Sequence, residues 1–367
     1  MATITAAIIH KQYDPFQIEE LTLEGPRDDE VLVRTVATGL CHTDIICRDQ
    51  WYPVPLPCVF GHEGAGVVEA VGRSVKKVSP GDHVVMSFLS CGACKGCKRG
   101  TPAYCSNFWA HNLSGGRADG STSHRSGSVP IHDHFFGQSS FASMCLANER
   151  NVVKVDPEVD LKLLGPLGCG ISTGFGATVN SLHPHGGSSI VIFGTGAVGL
   201  ASLMGAYLTG CSTIVAVDLK RSRLEKAEQL GATHTLNPAS VDNVVEAIQE
   251  ITRGGADFSL DTTGSPEVFR QAVDCLAVKG KCGLIGVAPI GQEASFDMNT
   301  ILFGRTITGI IEGDSVPDLL VPTMVELIKQ GRFRLPEIIT YYKFEDINQA
   351  GEDSLAGKAI KPVLTFE

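Results

Sequence analysis

The sequence predicts an α/β protein of two domains, an irregular β-rich domain and a doubly wound parallel sheet. The length of 367 residues exceeds that of one typical domain. From about Ser188, short β-branched runs alternate with helix-like segments, which is typical of a parallel sheet covered by helices. The earlier part of the chain instead has short strands and frequent turn signals, such as EGPRDDE and SPGD.

Six strand-like segments define the parallel sheet. In chain order they are SSIVIF, STIVAVD, THTL, ADFSLDTT, GKCGLIGVA and TITGII. Helix-like segments such as AVGLASLMGAYLTG and SRLEKAEQLGA separate them, and a crossover helix makes successive strands parallel. We therefore expect six parallel strands with helices on both faces.

The other segments belong to the β-rich domain. Residues 106–140 are rich in Gly, Ser and His and predict a long surface loop. After about residue 312 the sequence returns to mixed helix and strand, and we expect this tail to pack back on the first domain. The predicted domains are 1–170 with 312–367, and 171–311.

Composition excludes several classes of function. No window approaches the roughly 20 uninterrupted apolar residues that a bilayer requires, and the N-terminus lacks the pattern of a signal peptide. We therefore expect no membrane association and a cytoplasmic location. The net charge of -10 argues against nucleic acid and anionic lipid as partners, which leaves small-molecule chemistry.

A glycine motif predicts a dinucleotide site. The segment IVIFGTGAVGL places Gly194, Gly196 and Gly199 in a G-x-G-x-x-G pattern between a strand and a helix. These glycines permit a tight turn, close approach of a pyrophosphate and close packing of the helix. Asp218 lies 24 residues after Gly194, at the end of the next strand. Its carboxylate would accept hydrogen bonds from a ribose and repel a 2′-phosphate, which favours NAD.

NADP is the alternative cofactor. Lys220, Arg221 and Arg223 follow Asp218 closely and could bind a phosphate. The other interpretation of these three residues is a solvated start of a helix.

A cysteine cluster predicts a structural metal site. Twelve cysteines in a reducing compartment suggest metal ligation, catalysis or packing. Four lie close together in CGACKGCKRGTPAYC: Cys91, Cys94, Cys97 and Cys105. Four thiolates can close a tetrahedral zinc site with no open position, so the predicted role is structural. An iron–sulfur cluster is disfavoured because its common run has three residues, not seven, before the last cysteine.

A second, open metal site is suggested by Cys41 and His62, which are 21 residues apart. A catalytic zinc needs three protein ligands and one exchangeable position. Spacing alone does not distinguish Cys169 from Cys145 or Cys47 as a third ligand. Taken singly, a cysteine or histidine in such a segment is more often a packing residue than a ligand.

Together these motifs resemble the zinc-containing medium-chain alcohol dehydrogenases over essentially the whole chain, and most of all the bacterial aryl-alcohol members. The most specific parts are GHEGAGVVEAVG at residues 61–72, the four-cysteine segment, GPLGCGISTGFGA and GTGAVGL. The resemblance implies a GroES-like catalytic domain interrupted by a Rossmann domain.

The resemblance also implies roles for residues of the open site. Cys41, His62 and Cys169 would hold a catalytic zinc. Asp44 would orient His62 through a hydrogen bond, and Glu63 would lie behind the metal as a transient ligand. The implied cofactors are NAD and two zinc ions per chain.

Substrate and cofactor contacts are implied in the same way. Thr43 would hydrogen-bond the substrate hydroxyl. His42 and Lys361 would face the cofactor pyrophosphate, and Arg223 would flank the ribose beside Asp218.

The chain departs from the family's best-known pattern at Ile46. Many members carry a histidine at this position, which passes the alcohol's proton to solvent. An isoleucine cannot accept a proton, so we expect the relay to end at Thr43 and the ribose hydroxyl, with water completing the path.

The resemblance implies oxidation of a primary alcohol to its aldehyde. Four aromatic residues at pocket positions of the family favour a benzyl-type alcohol: Trp51, Tyr52, Phe88 and Trp109. They could instead be ordinary core residues. The alternative functions are a general primary alcohol dehydrogenase, a glutathione-dependent formaldehyde dehydrogenase and, more distantly, a non-catalytic zinc and nucleotide-binding protein. A homodimer or homotetramer is expected.

Overall fold

The computed structural model describes residues 1–366, which form two compact units. Unit 1 comprises residues 1–169 and the chain from Val316 onward, and unit 2 comprises Gly170–Ser315. Within the described part of the chain, no helix combines the length and the apolar character that crossing a membrane requires.

The strands are numbered along the chain. They are β1 (Ala2–Ile9), β2 (Gln17–Leu23), β3 (Glu30–Gly39), β4 (Cys58–Val59), β5 (Gly64–Val71), β6 (His83–Met86), β7 (His124–Ser126), β8 (Val129–Ile131), β9 (Met144–Asn148), β10 (Val152–Lys154), β11 (Ser189–Phe193), β12 (Thr213–Val217), β13 (His234–Leu236), β14 (Ala256–Asp261), β15 (Leu276–Leu284), β16 (Thr306–Gly309), β17 (Ile339–Lys343) and β18 (Lys361–Thr365).

The helices are numbered in the same way. They are α1 (His42–Arg48), α2 (Lys95–Lys98), α3 (Phe108–Asn112), α4 (Leu161–Leu164), α5 (Gly170–Gly176), α6 (Ala197–Leu208), α7 (Arg221–Leu230), α8 (Val244–Thr252), α9 (Pro266–Asp274), α10 (Met298–Leu302), α11 (Pro317–Lys329) and α12 (Ile347–Ala356). A π-helical segment, Ala177–Leu182, follows α5.

Unit 1 contains two sheets. The larger has the order β10-β6-β5-β3-β18-β17, with β9 also paired to β3, and the smaller has the order β4-β1-β2-β7-β8. Alternate valines of β3, Val31 and Val33, pack with Val68 and Val84 in the apolar core of the larger sheet. Because β3 is antiparallel to both β5 and β18, its end lies beside their starts. This edge of the sheet carries the candidate metal site.

Unit 2 is the predicted six-stranded parallel sheet, and its strand order is β13-β12-β11-β14-β15-β16. Its strands are apolar because helices cover both faces of such a sheet. The strand order reverses direction between β11 and β14, and α/β sheets bind ligands at the carboxyl ends of strands at such a point. The glycine motif follows β11 directly.

The predicted surface loop over residues 106–140 is wrong. This range contains α3, β7, β8 and a 3-10 turn at Phe135–Gly137, and Asp133 within it is fully buried. The Asp133 carboxylate accepts hydrogen bonds from the Ser123 hydroxyl at 2.6 Å and from the rings of His124 at 2.9 Å and His134 at 2.6 Å. The polar side chains that suggest a loop therefore satisfy one another inside the unit.

The same network gives His134 an unusual charge state. Burial alone would lower the pKa of His134, but Asp133 and Glu30 raise it from 6.5 to about 9. The protonated ring thus stabilises the folded chain fully below about pH 6.5, and this stabilisation is lost as the pH rises through about 9.

We expect the free energy of unfolding in urea to fall across this pH window by up to about 3 kcal/mol. His134→Asn should give a flatter profile, because asparagine tolerates the φ of 55° at this position but does not titrate. An equally steep fall in the variant would exclude His134 as the titrating group.

Candidate metal centres and dinucleotide site

Three backbone segments bring the predicted ligands to one edge of the unit 1 sheet. Cys41 follows β3 and caps the N-terminus of α1, while His62 and Glu63 directly precede β5. Cys169 follows a 3-10 turn that approaches this edge closely. A Cβ at Gly165 in that turn would lie 2.5 Å from the Glu63 carbonyl oxygen, so the approach requires glycine.

The ligand atoms of four residues lie within 4.8 Å of one another: Cys41, His62, Glu63 and Cys169. Of the three cysteines that spacing alone could not distinguish, Cys169 is the one in this cluster. Cys145 instead lies in the apolar core of the larger sheet, where burial raises the pKa of its thiol to about 12. Burial likewise raises the pKa of Cys47.

Asp44 fixes two of these ligands. Its Oδ1 accepts hydrogen bonds from His62 Nδ1 at 2.8 Å and from the Gly61 backbone N–H at 3.2 Å. Its Oδ2 accepts from the Cys41 backbone N–H at 2.9 Å. Because the carboxylate holds the proton on Nδ1, the lone pair of His62 is on Nε2.

The donor set fits zinc. His62 Nε2 is buried and has no hydrogen-bond partner among residues 1–366. A buried polar atom normally has a partner, so this nitrogen is placed for a ligand that the chain does not supply. Two sulfurs and one imidazole are donors that zinc prefers, and three such ligands leave a fourth position for substrate.

The charges around the cluster also favour a cation. A hydrogen bond from Cys169 lowers the pKa of the Cys41 thiol well below its ordinary value, and His62 acts in the same direction. Burial alone would lower the pKa of His62, but the Asp44 carboxylate raises it well above its ordinary value. The surroundings therefore stabilise thiolate at Cys41 and positive charge at the imidazole, which a metal ion on Nε2 would supply.

Glu63 and Lys361 form a buried ion pair beside the ligands. Burial raises the pKa of the Glu63 carboxyl to about 7, although Lys361 opposes this rise. Burial would lower the pKa of Lys361, but Glu63 raises it above its ordinary value. The Lys361 ammonium also donates to the Leu40 carbonyl at 3.3 Å. Its predicted contact with a pyrophosphate stays a prediction.

Helix α1 carries the remaining predicted residues of this site. The Thr43 hydroxyl lies 3.7 Å from the Cys41 sulfur. Ile46 is buried, and His42 is exposed at the first position of the helix. The contact of His42 with a cofactor also stays a prediction.

The four-cysteine segment forms a second, closed cluster: Cys91, Cys94, Cys97 and Cys105. The sulfur of Cys94 lies 3.5 Å from that of Cys97 and 3.9 Å from that of Cys105. A tetrahedral site with zinc–sulfur bonds of about 2.3 Å puts its sulfurs about 3.8 Å apart. The backbone N–H of Cys97 lowers the pKa of Cys94 to about 5. The geometry thus suits one zinc ion bound by thiolates.

The glycine loop of unit 2 has the conformation that its motif requires. Gly194 has a φ of 86°, a value that favours glycine. A Cβ at Gly199 would lie 1.9 Å from the Gly194 carbonyl oxygen. Gly196 caps α6, and no atom lies within 4 Å of the Cβ position there. The N-terminus of α6 is therefore open to an anionic group.

Asp218 has an additional role that sequence reasoning missed. Its carboxylate accepts hydrogen bonds from the backbone N–H and hydroxyl of Thr195 at 2.8 and 3.0 Å, and from the Lys220 backbone N–H at 2.8 Å. Arg223 lies 3.8 Å away. A carboxylate offers about four acceptor sites, so one remains for a ribose hydroxyl. Asp218 thus also ties the glycine loop to the end of β12.

The four predicted pocket aromatics do not form one group. Tyr52 and Trp109 meet at an angle of 63° with ring centroids 5.2 Å apart. Phe88 is buried and packs on Phe108 at 5.9 Å, whereas Trp51 is exposed. Their role in binding substrate stays a prediction.

Two further aromatics surround a predicted zinc ligand and were missed. The ring of Phe136 stacks on His62 at 4.5 Å with an interplanar angle of 29°, and Phe135 meets the imidazole edge-on at 5.4 Å. Phe108 contacts Phe136 at 6.1 Å and so links Phe88 to the imidazole. The adjacent phenylalanines in HDHFFGQSS were the available signal, but they lie in the segment interpreted as a loop.

Comparisons with known proteins agree with this arrangement. Residues 27–157 match the alcohol dehydrogenase GroES-like domain, and residues 197–330 match the zinc-binding dehydrogenase model. An alcohol dehydrogenase zinc-binding domain protein from Burkholderia ambifaria is 52% identical, with a TM-score of 0.98 over 100% of this chain and 99% of that chain. The benzyl alcohol dehydrogenase of Acinetobacter calcoaceticus is 47% identical, with a TM-score of 0.97 over 100% of both chains.

A relative of known name extends the comparison. Geraniol dehydrogenase from Castellaniella defragrans is 43% identical over 363 residues, which cover 98% of this chain and 97% of that protein. Together these similarities confirm the predicted fold class, a GroES-like domain with a Rossmann-type parallel sheet.

The two metal clusters should be separable by mutation. Cys97→Ser should release about one zinc per chain and lower the melting temperature, because a closed site contributes folding energy. Cys169→Ser should abolish turnover while the fold is largely kept. Zinc analysis, thermal melting and NAD reduction check both variants, with Cys211→Ser as a control at a half-buried cysteine of unit 2. Near-normal activity and zinc content in Cys169→Ser would contradict the ligand assignment.

Asp218 should control the choice of cofactor. Asp218→Ser should weaken the binding of NAD and strengthen the binding of NADP relative to it. The difference between the two binding free energies should change by ~1–3 kcal/mol, because one hydrogen bond to NAD and one repulsion of NADP are lost. Thr195→Val is the matched control, because it removes a hydrogen bond to the same carboxylate and keeps the charge. Thr195→Val should change kcat/KM for NAD and for NADP by the same factor. An unchanged ratio of kcat/KM for NAD and NADP in Asp218→Ser would rule out this role.

Proposed function

The chain belongs to the zinc-binding medium-chain alcohol dehydrogenases, and we propose that it oxidises primary aromatic alcohols of the benzyl type to their aldehydes, reversibly and with NAD. Dehydrogenation of a small-molecule alcohol with zinc and a nicotinamide cofactor follows from the family. The preference for an aromatic alcohol and the roles of single residues are the proposal.

The names of two similar proteins support an unsaturated substrate. One is named for benzyl alcohol and the other for geraniol. Both alcohols carry an sp² carbon next to the carbon that bears the hydroxyl group. A shared preference for such alcohols would explain why both names occur among proteins similar to this chain.

The aromatic group next to His62 is the observation that carries the proposal. Phe136 stacks on the imidazole, and Phe108 and Phe88 continue the contacts away from it. Aromatic rings attract one another in edge-to-face and offset stacked arrangements, by about 0.5–1.5 kcal/mol beyond burial of area. An aryl group beside the metal ligands would therefore meet favourable partners.

Residues of unit 1 have different roles in the catalytic site. Cys41, His62 and Cys169 would hold the catalytic zinc. When bound, zinc supplies Lewis-acid polarisation of the alcohol oxygen, and NAD supplies the hydride acceptor. Asp44 holds the proton on Nδ1 of His62, so Nε2 stays available as a ligand. Glu63 adds a further oxygen donor beside the three ligands.

The proton leaves through a hydroxyl group. The Thr43 side chain lies beside the Cys41 sulfur and can accept a hydrogen bond from the alcohol. Ile46, on the same helix, is buried and cannot accept a proton. The proton would therefore pass from Thr43 to a ribose hydroxyl and then to water.

A cytoplasmic homodimer or homotetramer is the proposed form of the protein. Unit 2 supports self-association, because β16 is the edge strand of its sheet. Large apolar side chains that precede it in the chain are exposed: Met298, Leu302 and Phe303. An exposed apolar surface on a unit whose sheet ends in an edge strand favours pairing with a second copy.

Turnover of a panel of alcohols tests the substrate. Benzyl alcohol should have the highest kcat/KM, above geraniol, ethanol and S-(hydroxymethyl)glutathione. Trp109→Leu should raise the KM for benzyl alcohol by roughly 2- to 10-fold, which is the equivalent of one aromatic contact. The KM for ethanol should change less. Tyr341→Leu, at an exposed ring on β17, is the control. A preference for S-(hydroxymethyl)glutathione or ethanol would overturn the aromatic assignment.

A further inference from the structure

The Asp44 hydrogen bond restrains one edge of the His62 ring and makes no contact with its faces. Small rotations of the ring about its bond to Cβ bend this hydrogen bond without breaking it. The lone pair on Nε2 lies in the plane of the ring, so its direction changes with each such rotation. A contact with the face of the ring is the constraint that would hold this direction.

Aromatic contacts supply this constraint. Phe136 covers one face of the imidazole at 4.5 Å, with only 29° between the two planes. Phe135 meets the same imidazole at 5.4 Å and 84°. A stacked ring on one side and a perpendicular ring on another oppose rotation of His62.

The backbone that presents Phe136 is unusual. We define residues 134–139 as the left-handed strap, because His134, Phe136 and Ser139 have φ values of 55°, 51° and 55°. Residues other than glycine rarely adopt this conformation, and such strain concentrates at functional sites. In the right-handed or extended conformation the Phe136 ring would leave the strap in another direction.

Polar side chains hold the strap in place. The Asn151 amide donates to the Gly137 carbonyl at 3.2 Å and to the Phe136 carbonyl at 3.4 Å. The Ser139 hydroxyl donates to the Val59 carbonyl at 2.6 Å.

Gln138 connects the strap directly to the ligand. Its amide nitrogen donates to the His62 carbonyl at 3.0 Å, and its amide oxygen accepts from the Gly64 backbone N–H at 3.1 Å. The strap therefore contacts both the backbone and the ring of His62.

We infer that Phe136 is a positioning residue for His62, and that the left-handed strap holds its ring flat on the imidazole so that Nε2 faces the other zinc ligands. The inference concerns metal retention. It rests on the zinc site of unit 1 and does not depend on which alcohol is the substrate.

Zinc release tests the inference without turnover. Phe136→Leu keeps an apolar side chain but removes the stacked face, and Phe136→Met is a second variant of similar volume if the first folds poorly. Release of zinc to a chelator dye should be about 10- to 100-fold faster for one of the two ions, because loss of a group that supports a ligand typically weakens metal affinity by this factor. The ion of the four-cysteine cluster should be released at the original rate. In the cobalt-substituted protein, the visible absorption bands of the catalytic site should shift.

Two further variants decide the outcome. Phe136→Tyr keeps the aromatic face, so its release of zinc should be as slow as that of the unmodified protein. Phe344→Leu removes another buried phenylalanine of unit 1, which stacks on Phe366 at the same interplanar angle of 29°, and should leave release unchanged. Unchanged release and cobalt bands in Phe136→Leu and Phe136→Met would overturn the inference, as would equal acceleration in Phe344→Leu.

Discussion

The buried hydrogen bond between Asp44 and His62 is the interaction on which the rest of the site depends. Both side chains have no exposed surface, and 2.8 Å separates the carboxylate oxygen from the ring nitrogen. A carboxylate removed from water is costly unless its acceptor sites are used, and here the backbone N–H groups of Cys41 and Gly61 use two more. One side chain thereby fixes the start of α1, the approach to β5 and the tautomer of a ligand.

This arrangement concentrates negative charge in a buried place. The sulfurs of Cys41 and Cys169 lie near the carboxyl groups of Asp44 and Glu63, and Lys361 pairs with Glu63. Such a cluster must hold protons or a metal ion, because uncompensated buried charge is strongly unfavourable. Zinc held by these residues would replace protons on the cysteines, so its binding would couple the stability of this edge of the sheet to pH and to the supply of metal.

The sequence predicted those features that depend on neighbours along the chain. Six apolar runs separated by helices, the glycine motif and the four-cysteine segment are local patterns, and each corresponds to a local structure. The segment over 106–140 was misread because its Ser, His and Asp side chains pair with one another inside unit 1. Cys169, Thr195 and Phe136 could not be assigned from local pattern, since their partners lie far away in the chain. Only the resemblance selected Cys169, and nothing in the sequence indicated that Phe136 stacks on His62.

Metal affinity in Asp44→Asn tests most directly whether this carboxylate organises the site. Asparagine keeps the shape of the side chain but loses the charge that orients the imidazole and balances the metal. Competition with a chelator should show zinc bound about 10- to 100-fold more weakly at the catalytic site, while the zinc of the four-cysteine cluster is retained. Unchanged affinity at both sites would contradict the central role of the Asp44–His62 interaction.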